Sequence, residues 1–397
     1  RPLKTQRPDL VINLMGCLVG IKGYEHLKKR FPFVDVFSPP SDPAPLIEYL
    51  SQAETRQMEQ AEVAQRFDMM DETLSQEDFS LPLSQQGKLV AAHVPIVLGC
   101  SHACTYCIIP YRRGVERSRP AETILSEICT LVSQGVKEVT LLGQIVDRYG
   151  KDVPDGPNLS GLLRQAHTIE GLERIRFLTS HPNWMTDELL DTVAELPKLM
   201  PHIEVPVQAG DDVVLENMKR GYTVEDYIRL VEKIRGRLKD LPFGDSIATD
   251  IIVGFPGETE AQFQGTYDLL AELKLDVAHL ARYSTRPGTL AARRLKDDIP
   301  EAEKMRRFRL LETLQEGIAT EINAQYLGES TLVLFEEKVK NRWRGRTETN
   351  KLVFAESESD LQGKVLPVHI TWTGPWSMIG TLSSTSAMIL APGVPTT

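Results

Sequence analysis

The sequence predicts an α/β fold built around a parallel sheet, and two observations support this prediction. Between about residues 89 and 290, six short runs rich in β-branched residues alternate with amphipathic segments of helical spacing. Strands that are joined through helices form right-handed βαβ units, and therefore a parallel sheet. Cysteine, glycine and polar residues follow the ends of these runs. Because ligands bind beyond the carboxyl ends of parallel strands, these strand ends predict the functional site.

The core unit is predicted to run from residue 89 to about residue 300. Its predicted strands end at Gly99, Gly143, Ser180, Gln208, Gly254 and Ser284. The predicted helices lie near residues 121–134, 159–168, 186–196, 223–238 and 258–273. This order of strands and helices predicts a partial parallel barrel of six βα-like units.

Four further segments flank this core. Residues 1–50 contain strand, helix and strand patterns that predict the remnant of an N-terminal α/β domain, and residues 51–88 form a polar, Gln-rich linker. Residues 301–326 predict one long charged helix. Residues 327–385 alternate β-branched runs with Gly, Pro and polar turns, which predicts a small β-barrel or sandwich of about five strands.

Composition narrows the class of protein. A chain of 397 residues with 41% hydrophobic and 25% charged residues is typical of a globular protein with more than one domain. No run reaches the roughly 18 apolar residues of a membrane helix, and the start has no targeting pattern, so we expect a cytoplasmic protein without a membrane partner. Because the first residue is Arg rather than Met, we also expect residues upstream. The formal charge of -10 argues against a generally basic nucleic-acid binder, so an RNA partner would need a local basic patch.

Three of the five cysteines lie within eight residues, in the run Cys100-Ser-His-Ala-Cys104-Thr-Tyr-Cys107. Clustered thiols in a large chain of this composition indicate metal or redox ligands rather than disulfides. Three thiolates on one loop can hold three irons of a 4Fe-4S cluster and leave the fourth iron open. A structural zinc site would need four ligands, and His102 is awkwardly placed as the fourth. Structural zinc and unligated thiols stay open as alternatives.

The remaining candidates are less specific. Cys17 follows a predicted strand in apolar company, which by itself is typical of a packed core residue. Cys129 lies on the apolar side of the predicted helix 121–134, where we expect core packing. His181 precedes Pro182 at a strand end and is either a hydrogen-bonding group beside a ligand or a structural histidine.

Two basic segments are candidates for RNA binding. Four arginines follow the cysteine run: Arg112, Arg113, Arg117 and Arg119. Near the C-terminus, every second residue is basic in the series Lys338, Lys340, Arg342, Arg344 and Arg346. An extended backbone would place these five side chains on one face with Trp343 opposite, which suits a phosphate backbone. A solvated strand face is the alternative.

The cysteine run resembles the radical S-adenosylmethionine (SAM) signature, in which an aromatic residue, here Tyr106, precedes the last cysteine. The longer string GCSHACTYCIIPYRRGVERSRP is similar to the MiaB-like branch of the radical SAM tRNA methylthiotransferases. Later blocks resemble that family in the same order: LLGQIVDRYG, LTSHPNWM, HIEVPVQAGDDVVLENMKRGYT, TDIIVGFPGET and YSTRPGT. The string GRTETNKLVF resembles the small RNA-binding β-barrel (TRAM) that ends this family. The resemblance extends from about residue 8 to residue 382.

The resemblance implies a radical SAM partial (βα)6 barrel with a 4Fe-4S cluster whose open iron binds SAM, the source of a 5'-deoxyadenosyl radical. It also implies which residues line the SAM and substrate pocket: Tyr106, Gln144, Ser180, His181, Gln208, Asp250, Gly254 and Gly257. Cys17 matches the third cysteine of the family's auxiliary 4Fe-4S cluster, whose other two cysteines would precede Arg1.

The implied reaction is methylthiolation at C2 of N6-isopentenyladenosine beside the tRNA anticodon, with the auxiliary cluster as sulfur source. The implied partners are tRNA, SAM and an electron donor such as flavodoxin or ferredoxin, and we expect a monomer. Two related alternatives are methylthiolation of threonylcarbamoyladenosine in tRNA and of an aspartate in a ribosomal protein. A non-catalytic, zinc-containing RNA-binding protein is the alternative from another class, which metal analysis would distinguish.

Overall fold

The computed structural model describes residues 4, 7, 10–16, 18–19, 25–40, 43–51, 81, 85–241 and 243–383. No helix among these residues is both long enough and apolar enough to cross a membrane. The predicted linker lies almost entirely outside the described residues, as does the segment after residue 383.

A small α/β unit comes first in the chain. Strands β1 (Asn13–Met15) and β2 (Val36–Ser38) pair in parallel, and they are accompanied by helices α1 (Glu25–Arg30) and α2 (Ala44–Ser51). Val19, Leu27 and Phe37 form its buried apolar cluster. The parallel pairing of two strands that flank a helix agrees with the α/β pattern predicted for this segment.

The core contains six parallel strands in two sheets of three. The first sheet consists of β3 (Ala91–Pro95), β6 (Glu138–Leu142) and β7 (Arg174–Leu178), and a short antiparallel pair, β4 (Val97–Leu98) and β5 (Arg117–Ser118), follows β3 in the chain. The second sheet consists of β8 (His202–Glu204), β9 (Ser246–Val253) and β10 (Val277–Arg282). The two sheets meet where Ile175 bridges to Leu199 and where the Ser180 N–H donates to the Glu204 carbonyl at 3.0 Å. All six predicted strands are therefore present, and their carboxyl ends face one side.

Helices connect these strands and cover their outer surface. They are α3 (Ile109–Arg113), α4 (Ala121–Ser133), α5 (Leu159–His167), α6 (Asp187–Glu195), α7 (Asp212–Asn217), α8 (Val224–Leu238), α9 (Glu260–Leu273) and α10 (Leu290–Arg294). Thr223 and Thr259 begin α8 and α9 with reciprocal capping boxes, which fix where each helix starts after its strand-end loop. Sequence patterns predicted the longer helices and missed the short ones, α3, α7 and α10.

The prediction that Cys129 packs in the core is wrong. Helix α4 buries Ile124, Ile128 and Leu131, which recur at the spacing of one helix face. Cys129 is exposed. It follows Ile128 directly, and one residue turns the side chain about 100° around the helix axis, away from that face.

A long helix, α11 (Glu301–Ala324), leads into a closed five-stranded barrel. Its strands are β11 (Ser330–Val339), β12 (Arg342–Thr347), β13 (Leu352–Ala355), β14 (Val365–Thr373) and β15 (Met378–Leu382). Their order around the barrel is β11-β12-β13-β15-β14. Val333, Phe335, Trp343 and Val368 are among the residues that fill its interior. Closure leaves no free edge among these strands.

Buried arginines of β7 hold this barrel against the core. The Arg176 guanidinium donates to the carbonyl groups of Thr347 and Glu348 at 2.8 and 2.9 Å, and its Nε donates to the Glu138 carboxylate at 3.0 Å. Arg174, two residues earlier, donates to two further barrel carbonyls. Burial, together with the charge of Arg176, lowers the pKa of Arg174 to about 10. In these contacts the core contributes arginine side chains and the barrel contributes backbone carbonyl groups. The attachment of the barrel to the core therefore does not require particular barrel side chains.

We expect Arg176→Met to destabilise the protein by about 3–5 kcal/mol, because it leaves the Glu138 carboxylate buried without its partner. Urea unfolding measures this loss. Arg164→Met is the matched control, since the Arg164–Glu195 pair is exposed and contributes about 0–1 kcal/mol. Equal midpoints for the two variants would contradict the anchoring role of Arg176.

Candidate iron-sulfur and cofactor site

The cysteine loop is closed at its base by a turn that only glycine fits. Gly99 has φ +70°, and a Cβ there would lie 2.2 Å from the Val115 carbonyl oxygen. The Cys100 N–H donates to the Gly114 carbonyl at 3.1 Å, and β4 pairs with β5 just outside the loop. The chain between β4 and β5 is therefore held at both ends, which limits how far the three thiols can move.

The three thiols line one cavity of about 110 Å³. The His102 N–H donates to Cys100 Sγ and the Ile109 N–H donates to Cys107 Sγ, each at 3.4 Å. Cys104 Sγ lies 3.2 Å from Nη1 of Arg220 and 3.2 Å from Nδ1 of His102. Each sulfur thus has at least one donor or imidazole contact, which opposes the effect of burial on its thiolate form.

The three thiols differ in acidity. Burial raises the pKa of Cys100 to about 11 and also raises that of Cys107. Burial acts in the same direction on Cys104, but the His102 hydrogen bond and the Arg220 charge outweigh it and hold its pKa at about 7. Cys104 can therefore ionise near neutral pH, whereas the other two thiols need a bound cation to do so.

This donor set fits a 4Fe-4S cluster. In the described part of the chain, no three His, Cys, Asp or Glu side chains are arranged around a single metal ion. Three cysteines that bind a cubane cluster contact three different irons, so their sulfurs need not converge on one point. The cavity contains three sulfur ligands, and the remaining described cysteine, Cys129, is exposed elsewhere. One iron would then keep an open position for another ligand.

Six of the residues predicted for the cofactor pocket line the same cavity: Tyr106, Gln144, Ser180, His181, Gln208 and Asp250. They come from the cysteine loop, from the segments that follow three strands, and, for Asp250, from the middle of β9. Thr179 and Gln208 have φ values of +67° and +76°, which non-glycine residues rarely adopt. Strained backbone of this kind is concentrated at functional sites. Sequence analysis missed several other lining residues: His102, Ile109, Ile145, Thr179, Pro206 and Arg220.

Two buried polar atoms in the cavity are available to a ligand. Ser180 Oγ and His181 Nε2 have no hydrogen-bond partner among the described residues. Burial, followed by the charge of Arg220, lowers the pKa of His181 to about 2, so its imidazole is neutral. The backbone N–H of His181 donates to the carboxyl of Asp147, whose pKa burial raises to about 7. A buried hydroxyl and a neutral imidazole suit a polar ligand such as SAM.

Gly254 and Gly257 do not line this cavity, which corrects the prediction made for them. The Gly254 N–H donates to the Glu258 carboxylate at 2.7 Å, and a Cβ at Gly254 would lie 2.4 Å from the Lys304 side chain. The Gly257 N–H donates to Asp298 at 2.8 Å. Both glycines have positive φ, so they shape a turn that packs against α11.

The prediction that Arg119 contacts RNA is also wrong. Its side chain is 5% exposed, donates to the Pro95 carbonyl at 2.6 Å and pairs with Glu127 at 2.8 Å. Arg119 therefore stabilises the start of the core. The other three arginines of this segment are half-buried: Arg112, Arg113 and Arg117.

The C-terminal basic series does not form one face, because the chain turns in its middle. Lys340 has φ +58° and lies in the hairpin turn between β11 and β12. Lys338 pairs directly with Trp343, so it lies on the side opposite the β12 arginines. Those arginines share the outer face of β12, where Trp343 points inward: Arg342, Arg344 and Arg346. The predicted five-residue stripe is thus reduced to three arginines.

Carboxylates accompany these three arginines. Arg342 pairs with Glu356 at 3.0 Å, Arg344 pairs with Glu337 at 2.7 Å, and the third pairs with Glu336 at 3.4 Å. A polyanion would have to compete with these acidic groups.

Cys17 lies outside the described residues. Its assignment as a ligand of an auxiliary cluster stays a prediction.

Comparison with known proteins supports the interpretation of this cavity as a cluster and SAM site. Residues 94–270 match the Radical SAM superfamily. The parallel core and the three-cysteine cavity thus belong to a radical SAM enzyme, a class that uses a 4Fe-4S cluster and SAM.

Similarity to particular proteins extends over nearly the whole chain. A tRNA-2-methylthio-N(6)-dimethylallyladenosine synthase from Roseiflexus sp. (strain RS-1) is 46% identical over 96% of this chain and 76% of its own. Proteins of the same name from Herpetosiphon aurantiacus and Chloroflexus aurantiacus are also 46% identical, over 96% and 95% of this chain and 82% and 77% of their own. The chain belongs to the tRNA-2-methylthio-N(6)-dimethylallyladenosine synthase family.

We expect Cys104→Ala to abolish reductive cleavage of SAM, because one cluster iron loses its protein ligand. The measurement is deoxyadenosine formed under dithionite, together with iron and sulfide content. Cys129→Ala removes an exposed thiol outside the cavity and should leave both values unchanged. Deoxyadenosine formation by the Cys104 variant at the unmodified rate would overturn the ligand assignment.

Proposed function

We propose that this enzyme installs a methylthio group at C2 of N6-isopentenyladenosine beside the anticodon of tRNA. The similarity to synthases of that name over at least 95% of the chain is the observation that supports this proposal most strongly. The three-thiol cavity supports it independently, since the C2 position is unactivated and needs radical chemistry.

When the cluster and SAM are bound, one-electron reduction supplies a 5'-deoxyadenosyl radical. The residues of the chain would bind and orient the reactants and limit access of water. The Ser180 hydroxyl and the neutral His181 imidazole offer hydrogen bonds to a polar ligand, and the amides of Gln144 and Gln208 lie at the same cavity. The Asp250 carboxyl lines the same cavity, and burial raises its pKa. These groups would orient SAM and the nucleoside while apolar packing around Tyr106 limits access of water.

The substrate would approach through the lumen of the strand barrel. A larger cavity of about 640 Å³ lies between the core strands and the C-terminal barrel, shares no lining residue with the cluster cavity, and is lined by His93 of β3 and His279 of β10. These are the outer strands of the two sheets, so the lumen is open on one side. Thr179 of the cluster cavity lies 3.5 Å from Glu204 of the larger one. An unstacked nucleoside of a tRNA loop could enter by this side opening.

An auxiliary cluster, an electron donor and contacts with tRNA complete the proposed reaction. Cys17 would bind an auxiliary 4Fe-4S cluster, the sulfur source, together with two upstream cysteines. A flavodoxin or ferredoxin would deliver the electron to a monomeric, cytoplasmic enzyme. The C-terminal barrel would act as a TRAM-like module, whose β12 arginines contact tRNA phosphates while Arg112, Arg113 and Arg117 contact the backbone near the cavity.

Substrate identity is tested by incubating the protein, including the segment with the two proposed upstream cysteines and with both clusters reconstituted, with SAM, dithionite and three substrates in separate reactions. These are tRNA containing isopentenyladenosine, tRNA containing threonylcarbamoyladenosine, and the ribosomal protein with the target aspartate. We expect mass spectrometry to detect a methylthio group on the first alone. A product on either of the others, with none on the first, would refute the proposed substrate.

The role of the barrel arginines is tested by neutralising Arg342, Arg344 and Arg346 to Gln together. Because each phosphate contact contributes about 0.7–0.9 to the magnitude of the slope of log affinity against log salt, we expect the loss of three contacts to reduce that magnitude by about 2–3. The matched control is a triple Gln variant of three exposed basic residues on α8: Arg229, Lys233 and Arg237. If both triple variants keep the slope of the unmodified chain, the barrel face does not bind phosphates.

A further inference from the structure

Arg220 is a buried cation without a carboxylate partner. Its side chain is 5% exposed, with Nε donating to the Tyr222 hydroxyl at 2.9 Å and Nη2 to the Pro206 carbonyl at 3.3 Å. No carboxylate oxygen of the described residues lies within 4.0 Å of its nitrogens. Asp250, which lines the same cavity, also lies beyond that distance. A buried charge is costly unless it is paired, so this guanidinium needs an anion.

The anion within reach is the sulfur of Cys104. Nη1 of Arg220 donates to Cys104 Sγ at 3.2 Å. A thiolate that binds a cluster iron keeps much of its negative charge, so a guanidinium beside it is a charge-assisted donor.

This contact is fixed by the backbone on both sides. The Thr105 N–H donates to the Met218 carbonyl at 3.1 Å, and its hydroxyl donates to the Asn217 carbonyl at 2.8 Å, which ties the cysteine loop to the end of α7. The Arg220 N–H donates to the Leu215 carbonyl at 3.0 Å, within the same helix end. Arg220 and Cys104 are therefore positioned by one shared element.

The turn around Arg220 directs its side chain inward. Lys219 and Gly221 have φ values of +57° and +73°, so the chain reverses on both sides of Arg220. Asn183 donates its side-chain amide to the Gly221 carbonyl at 3.0 Å and holds this turn. A left-handed lysine costs energy, and such strain persists where the surroundings require one geometry.

We propose that Arg220 raises the reduction potential of the cluster held by Cys100, Cys104 and Cys107, through the Nη1–H···Sγ contact with Cys104. Reduction adds one negative charge to the cluster. A fixed positive charge and a hydrogen bond at a ligand sulfur stabilise that reduced form relative to the oxidised one. Arg220 thus acts on the cluster through Cys104, by holding a positive charge next to the ligand sulfur. This inference rests on the radical SAM class of the enzyme and does not depend on which nucleoside is modified.

The experiment is a dye-mediated redox titration of the full chain with its reconstituted cluster, followed by electron paramagnetic resonance. The signal to follow is the one that changes when SAM is added, since that change marks the cluster with the open iron. One electron from dithionite reduces the cluster, and SAM affinity is measured separately by equilibrium binding. The variants are Arg220→Met, Arg220→Lys and Tyr222→Phe.

We expect Arg220→Met to shift the potential to more negative values, with a smaller shift for Arg220→Lys, which keeps the charge but loses the planar donor geometry. Tyr222→Phe removes the acceptor of Nε and should shift the potential in the same direction, so the test remains available if the Met variant does not hold its cluster. Arg174→Lys, the same exchange at a buried arginine that contacts the C-terminal barrel, should leave the potential unchanged.

Two results would overturn the proposal. One is an unchanged potential in the Arg220 variants together with unchanged SAM affinity, which would make Arg220 purely structural. The other is an unchanged potential with lost SAM affinity, which would assign Arg220 to the carboxylate of SAM. Failure to modify isopentenyladenosine would not affect the cluster potential or the SAM affinity. The proposed substrate and the proposed role of Arg220 can therefore be refuted independently.

Discussion

The structure depends on how a short loop with three cysteines is kept in one conformation. Three thiols gain little from proximity until iron is bound, and each would be repelled by its neighbours once ionised, so the loop must be held by other contacts. Gly99 supplies the turn at its start, β4 and β5 close its base, and Thr105 ties its middle to the end of α7. Each of these contacts uses backbone groups, which confine the loop without occupying the cavity. A preorganised loop of this kind lowers the ordering cost of binding a cluster.

A fixed charge and a neutral imidazole lie close together in the cavity. Arg220, which donates to Cys104 Sγ, is a cation that cannot lose its proton at neutral pH. His181 lies beside His102, with the two ring centroids 4.6 Å apart, and its burial together with the charge of Arg220 keeps it neutral. A negative cluster therefore meets a fixed positive charge, whereas a ligand beside His181 meets hydrogen-bonding groups of low charge. This arrangement suits a ligand such as SAM, whose own positive sulfonium would be repelled by a protonated histidine.

The sequence predicted the parts of this site that follow from local patterns. Four of the predicted pocket residues meet because the ends of parallel strands share one side, and the cysteine spacing requires no tertiary information. Arg220 was missed because its inward direction depends on a turn at Lys219 and on a contact from Thr105, more than 100 positions earlier in the chain. The prediction of one basic face from Lys338 to Arg346 was wrong because the turn at Lys340 contains neither Gly nor Pro. The alternation of basic and other residues therefore looked like one continuous strand. Gly254 matches a family block, but its role in packing depends on Lys304 of a distant helix.

The distribution of charge bears on how a chain of net charge -10 could recognise RNA. The three arginines on β12 each have a carboxylate within 3.4 Å, so phosphates would gain only the difference between two ion pairs. A binder of this kind has weak attraction to RNA in general, because counterion release scales with the number of phosphates neutralised. In the proposed mode of binding, selectivity would come from the contacts that a particular nucleoside makes after it leaves its stack and enters the lumen. The attachment of the C-terminal barrel by Arg174 and Arg176 fits this proposal, since it would fix the distance between the proposed phosphate contacts and the cavity. A substrate with the right loop geometry can satisfy both at once, whereas one that satisfies only the phosphate contacts is held weakly.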